Sequence, residues 1–187
     1  MADRIVSLLP SATEIVCALG LADRLVGVTH ECDYPLEVRG LPVVTQTRIP
    51  HSATSAEIDA LVREQLATQD ALYTLDEDRL AQLAPDLIVT QALCDVCAVA
   101  EAEVAAAACQ LADAPPVLNL EPMTLADVLA SVRVVGDAAG VDAEPIVAAM
   151  EARIEAVRSA VEGRPRPRVA LLEWLDPPFS GGHWNPE

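Results

Sequence analysis

Short apolar runs alternate with segments of helical apolar spacing from the start of the chain to about residue 122. Arg4 to Gly20 sets the pattern: a buried strand, a tight turn at Pro10-Ser11, and an amphipathic helix ending at Gly20. Val26–Thr29, Leu41–Thr45, Tyr73–Leu75, Leu87–Thr90 and Pro116–Leu120 repeat the strand signal, and helix starts are expected at Thr54-Ser55, at Asp76 and at Val99. Parallel strands need helical crossovers, and those helices cover both sheet faces. The expectation is an α/β fold: a largely parallel sheet with helices on both faces.

After Met123 the pattern changes. Leu125, Val128, Leu129, Val132 and Val135 keep helical spacing up to Gly140, which reads as a C-cap. Asp142 then caps a second helix carrying Ile146, Met150, Ile154, Val157 and Val161 and running to Gly163. At about 1.5 Å per residue it is roughly 30 Å long, enough to bridge two bodies. Val169–Leu172 reads as a lone strand followed by loop. A strand with no partner leaves both edges open. The reading therefore has three parts: a ligand-binding lobe over 1–122, a helical linker over 123–163, and the beginning of an incomplete second lobe over 164–187.

Charge and residue type remove several function classes. The formal net charge is −17, and all twelve basic residues are Arg. Nucleic acid is not expected as a partner, because phosphate neutralisation needs clustered cations. With no Lys there is neither a phosphate-loop lysine nor a lysine Schiff base. No apolar run approaches the roughly 20 residues of a membrane span. There is no G-x-S-x-G and no H-E-x-x-H, and only three His are present, so an enzyme is not expected. Five Cys cannot all pair within one chain, and with no leader at the start of the sequence the residues alone point to reduced cytoplasmic thiols.

Several constellations could carry chemistry. The first strand–turn–helix places a helix N-terminus at a strand's carboxyl end, where open α/β sheets bind ligands. Pro10, Ser11 and Ala12 are candidate ligand contacts there; Ser11 with Glu14 also fits a capping box, S-x-x-E. Cys94-Asp-Val-Cys97 has the spacing of a redox dithiol or of half a zinc site. His30 and Cys32 lie in the loop after the second strand, on the same sheet edge, so His30, Cys32, Cys94 and Cys97 form a candidate metal cluster. The competing reading is cleft-lining thiols without metal. Cys17 and Cys109 are expected in the core. Four of the five aromatics, Tyr34, Trp174, Phe179 and Trp184, fall in loops or at strand ends. Flat rings suit a macrocycle face, and Tyr34 and Trp184 join Gln91 and His51 as candidate ligand contacts.

Four segments together resemble periplasmic-type substrate-binding proteins of the cobalamin and iron-siderophore class, most closely cobalamin-binding proteins. They are RIVSLLPSATE from Arg4 to Glu14, CDYP from Cys32 to Pro35, LAPDLIVT from Leu83 to Thr90, and DPPFSGG from Asp176 to Gly182. The resemblance implies two α/β lobes joined by one rigid helix, here 143–162, with the ligand in the cleft between them. It covers about the first two thirds of a usual member, so the second lobe is truncated. It implies no resident cofactor, a small-molecule ligand such as cobalamin or a related metal chelate, and delivery to an ABC-transporter permease. The permease-docking glutamate would be Glu101 or Glu103. It also implies a periplasmic or extracellular location. Two other readings stand beside it: a cytosolic metal-binding or thiol-redox protein using Cys94 and Cys97, and a homodimer swapping the strand Val169–Leu172.

Overall fold

The computed structural model describes residues 1–50, 52–68, 72–91, 99–182 and 185–186, leaving aside the side chains of Gln65, Leu66 and Thr68. The chain opens with β1 (Ile5–Ser7), α1 (Pro10–Ala18) and β2 (Leu25–Val28). There follow β3 (Thr45–Thr47), α2 (Ser55–Thr68), β4 (Tyr73–Leu75), α3 (Glu77–Leu83) and β5 (Leu87–Thr90). Next come α4 (Glu101–Gln110), β6 (Val117–Asn119), α5 (Leu125–Ala139) and α6 (Glu144–Val161). Last are β7 (Leu172–Leu175) and β8 (Pro178–Ser180).

The main sheet has the order β2-β1-β5-β6, and every pair in it is parallel. Side chains alternate between its faces. Ile5, Leu87 and Val89 pack under α1 and α5, against Ala12, Val16, Val135 and Ala139. Val6, Leu8 and Ile88 pack on the other side, against Leu80 of α3 and Val104, Ala107 and Ala108 of α4. The expected α/β layering is present. At Gly27 a Cβ would sit 2.7 Å from Leu83 Cδ1, so bare backbone lets α3 approach β2 this closely.

The helix punctuation follows local chemistry. Asp76 accepts the Arg79 amide and caps α3. Thr124 and Asp127 form a reciprocal capping box at the start of α5, and Gly140 closes α5 in the left-handed region at φ 72°. The Thr124 hydroxyl and amide both donate to Asp127 and hold its carboxyl below the ordinary aspartate value. At α1 the expected Ser11 cap does not form. Pro10 takes the first helical position, which its fixed φ and missing N–H suit, so Leu9 becomes the N-cap and Ser11 lies inside the first turn.

Three further expectations are corrected. The third strand is shifted to Thr45–Thr47 and pairs antiparallel with β4 in a separate small sheet. Pro42 supplies no N–H, so the run before it makes only an isolated bridge, Val43 to Val28. The last strand is not lone: β7 turns at Asp176-Pro177 and pairs antiparallel with β8, within residues expected to be loop. Of the region expected as strand, Val169 to Leu172, only Leu172 belongs to β7. Finally, Cys109 is exposed rather than in the core, whereas Cys17 is half-buried and packs against the main cluster.

Candidate functional site

The sheet reverses its direction of growth at one place. From β1 the chain goes to β2 on one side, then returns to β5 on the other, so the switch point lies between β1 and β5. Crevices form at the carboxyl ends of strands at such points. This edge carries the segments after β1 (from Leu8), after β2 (from Thr29), after β5 (Gln91) and after β6 (from Leu120).

The candidate ligand contacts within the described residues, Pro10, Ser11, Ala12, Tyr34 and Gln91, lie on segments that leave the carboxyl ends of these strands. Pro10 and Ser11 are exposed on the first turn of α1. Ala12 is fully buried, backbone included, and so offers no surface to a ligand in this arrangement. Tyr34 is 63% exposed, a large share for an aromatic ring in a chain with so few. Gln91 is half-buried at the end of β5. His51, Trp184, Cys94 and Cys97 lie outside the described residues.

His30 and Cys32 have separate partners. His30 Nδ1 is 2.7 Å from Thr45 Oγ1, and its Nε2 is 3.1 Å from Glu31 Oε1. Its ring lies 5.1 Å from that of Tyr73. Thr45 Oγ1 also accepts the His30 amide at 3.1 Å and meets Thr29 Oγ1 at 2.8 Å. A hydroxyl has one proton and two lone pairs. The amide takes one Thr45 lone pair, so the hydroxyl proton and the remaining lone pair are shared between Thr29 Oγ1 and His30 Nδ1, and that ring nitrogen is engaged by Thr45. Cys32 is 8% exposed, and its Sγ lies 3.0 Å from Thr13 Oγ1. Burial is the largest influence on its thiol and pushes its pKa up, away from the thiolate a metal needs. Among the described residues no group of three or more His, Cys, Asp or Glu is placed to hold a metal ion.

The two docking candidates also differ. Glu103 is half-buried, and its Oε1 accepts the Leu75 amide at 3.3 Å. Glu101 is exposed in the first turn of α4 and makes no hydrogen bond or ion pair among the described residues.

Sequence reasoning missed the threonines. Thr29, Thr45 and Thr90 are all buried where apolar runs end, and the Thr90 hydroxyl has no hydrogen-bond partner among the described residues. The signal was present in VGVT, VVT and LIVT: a hydroxyl closing an apolar run at the ligand-bearing edge. Asn119 at the end of β6 donates to Glu121 at 2.6 Å and completes the edge on that side. The edge segments 8–14, 29–40, 45–54 and 119–123 carry five carboxylates, Glu14, Glu31, Asp33, Glu37 and Glu121, against two guanidiniums, Arg39 and Arg48. Arg39 Nε donates to the Asp33 carbonyl.

Comparison with known proteins gives a concordant result. The family model described as periplasmic binding protein matches residues 5–184. A 36-residue stretch is 61% identical to an uncharacterized ABC transporter substrate-binding lipoprotein, YvrC, of Bacillus subtilis, covering 19% of this chain and 12% of that one. Among solved structures, the periplasmic heme-binding protein RhuT from Roseiflexus sp. RS-1 superposes with a TM-score of 0.65 at 26% identity, covering 92% of this chain and 55% of RhuT. The periplasmic vitamin B12 binding protein BtuF of Vibrio cholerae gives a TM-score of 0.62 at 21% identity, covering 96% of this chain and 58% of BtuF. The chain thus spans a little over half the length of these two structures.

Proposed function

The chain belongs to the periplasmic binding protein family, whose members bind solutes without chemistry, and from that premise we propose that it is part of a two-lobed solute-binding protein for cobalamin or a related metal chelate. Residues 1–122 form the ligand-binding lobe, 123–163 the linker with α6 as backbone helix, and 164–187 the beginning of the second lobe. In this reading the ligand lies against the carboxyl-end edge of the sheet, with the exposed Pro10, Ser11 and Tyr34 and the half-buried Gln91 as contacts and His51 and Trp184 as the remaining candidates. The observation that carries this reading is the Tyr34 ring, 63% exposed in the loop that leaves the carboxyl end of β2. An exposed aromatic ring is a stacking surface for a flat partner.

The charge of the edge favours one kind of chelate. Five carboxylates against two guanidiniums repel a ligand that carries its own carboxylates. A corrinoid rimmed with amides suits that surface better than a haem with two propionates. Delivery is to an ABC-transporter permease, with Glu101 rather than Glu103 as the docking carboxylate, because Glu103 is already engaged by β4. Zinc at Cys94 and Cys97 is a separate outcome of the same experiment.

The test is titration of the reduced, EDTA-treated protein with cyanocobalamin and with haemin, followed by absorbance and intrinsic fluorescence. Saturable one-to-one binding of cyanocobalamin, at least roughly tenfold tighter than haemin and lost in Tyr34→Ala, is the expected result. Tighter binding of haemin would reverse the charge reading. No binding of either, with zinc recovered stoichiometrically before EDTA treatment, would replace the ligand reading with the metal one.

A further inference from the structure

A buried chain of hydroxyl and thiol groups ties together the two loops that bear Pro10 and Tyr34. Ser7 Oγ donates to the Leu9 carbonyl at 3.0 Å, Thr13 Oγ1 donates to Ser7 Oγ at 2.8 Å, and Cys32 Sγ lies 3.0 Å from Thr13 Oγ1. Ser7 and Thr13 are fully buried. A carbonyl only accepts, and each hydroxyl has one proton to give. With Ser7 committed to Leu9 and Thr13 committed to Ser7, the thiol proton of Cys32 must point at Thr13. The polarity of the whole chain is therefore set from one end, the Leu9 carbonyl, which is also the N-cap carbonyl of α1.

The placement of this chain matters more than its strength. It starts at the end of β1, crosses the first turn of α1, and stops two residues before Tyr34. The Cys32 amide meanwhile donates to the Thr29 carbonyl at 3.1 Å. Cys32 is thus held by its backbone to its own loop and by its side chain to α1. The Tyr34 ring is too exposed to anchor the loop by its own packing.

We infer that Thr13 and Cys32 are positioning residues, which hold the Tyr34 loop in register with the first turn of α1 so that one ligand meets both. This rests on the ligand edge proposed above. If the two side chains only filled space, an apolar group of the same shape would serve as well. The difference is measurable because a filler affects folding alone, whereas a positioning bond also affects affinity in the folded protein.

The experiment compares Thr13→Val and Cys32→Ala with the conservative Thr13→Ser and Cys32→Ser in the full chain. Cyanocobalamin and haemin serve as probes. Where the bond holds the loop in its binding arrangement, losing it lowers affinity by up to about tenfold. Thr13→Val and Cys32→Ala should show that fall for whichever probe the wild type binds, while the two serine variants stay within about twofold. A lowered melting temperature with unchanged Kd would overturn the inference. Should Thr13→Val not fold, Cys32→Ala, which leaves α1 intact, carries the same comparison. If the wild type binds neither probe, the ligand reading fails, and amide exchange decides the positioning alone. Exchange at Cys32 and the ring resonances of Tyr34 should then change in Thr13→Val but not in Thr13→Ser; no change in either would overturn it.

Discussion

β1 and β7 are both short apolar strands, and their surroundings are opposite. All three residues of β1 are buried, with parallel partners on both sides and helices above and below. β7 has one antiparallel partner, and three of its four residues are exposed. The difference extends beyond the strands. No described residue from Glu151 onward is buried. Val157, Val161, Val169, Leu171, Leu172 and Leu175 are between 47% and 82% exposed. α6 itself changes character midway: Val147 packs into the cluster with Leu129 and Val132, and the apolar stripe then continues into solvent. Apolar patterning makes a core only where a second layer covers it. The body up to α6 has its layers. The hairpin holds together locally, through a two-residue turn and the Trp174–Phe179 stack at 4.5 Å. The proposed second lobe would be the missing cover.

The strongest way to break this comparison is to substitute matched positions. Ile88, fully buried between β1 and β6, should lose about 2–5 kcal/mol of stability as Ile88→Ala. Urea unfolding followed by far-UV circular dichroism measures it. A loss below about 1 kcal/mol would mean that the body is as loosely covered as the hairpin. Next in size is the capping box of α5. Thr124→Ala should cost about 1 kcal/mol at neutral pH. The Asp127 carboxyl is held below its ordinary value by the Thr124 hydroxyl and then its amide. A depressed folded pKa stabilises above the unfolded value and loses that contribution as pH falls through the folded one. The gap between wild type and Thr124→Ala should therefore be full at pH 7 and narrow only below the ordinary aspartate range, about 3.9. A gap that stayed constant into acid would remove Asp127 from the cap.

How much of this was legible in the sequence follows the same division. The strands Leu87–Thr90 and Ile5–Ser7 and the helix closed by Gly140 could be read because their signals are local: an apolar run, apolar residues at helical spacing, a glycine at the end. The α1 cap was misplaced by two residues, Ser11 for Leu9, because Pro10 takes the first helical position, a contest between two local rules. β3 was misplaced and β8 missed for another reason. Their partners, β4 and β7, are set by tertiary closure and by a turn through Asp176-Pro177, not by periodicity. At the candidate site, the loops were legible as places. The bonds inside them were not, since nothing in the spacing of Thr13 and Cys32, nineteen residues apart, announces a contact.

The smallest expected effect is the most telling about the hairpin. Trp174→Ala removes the stack with Phe179, and an isolated two-stranded hairpin is marginal in water even when intact. The hairpin amides should therefore exchange freely in the variant. Among the described residues, the buried clusters of the body include neither Trp174 nor Phe179. Its urea midpoint should move by less than the equivalent of about 0.5 kcal/mol, the range of a surface change. A larger shift would show that β7 and β8 are coupled to the main sheet, and the two regions would then be one cooperative unit. Within that coupling, exposed Leu175 and Val169 would no longer count as uncovered surface but as one rim of the body's own core.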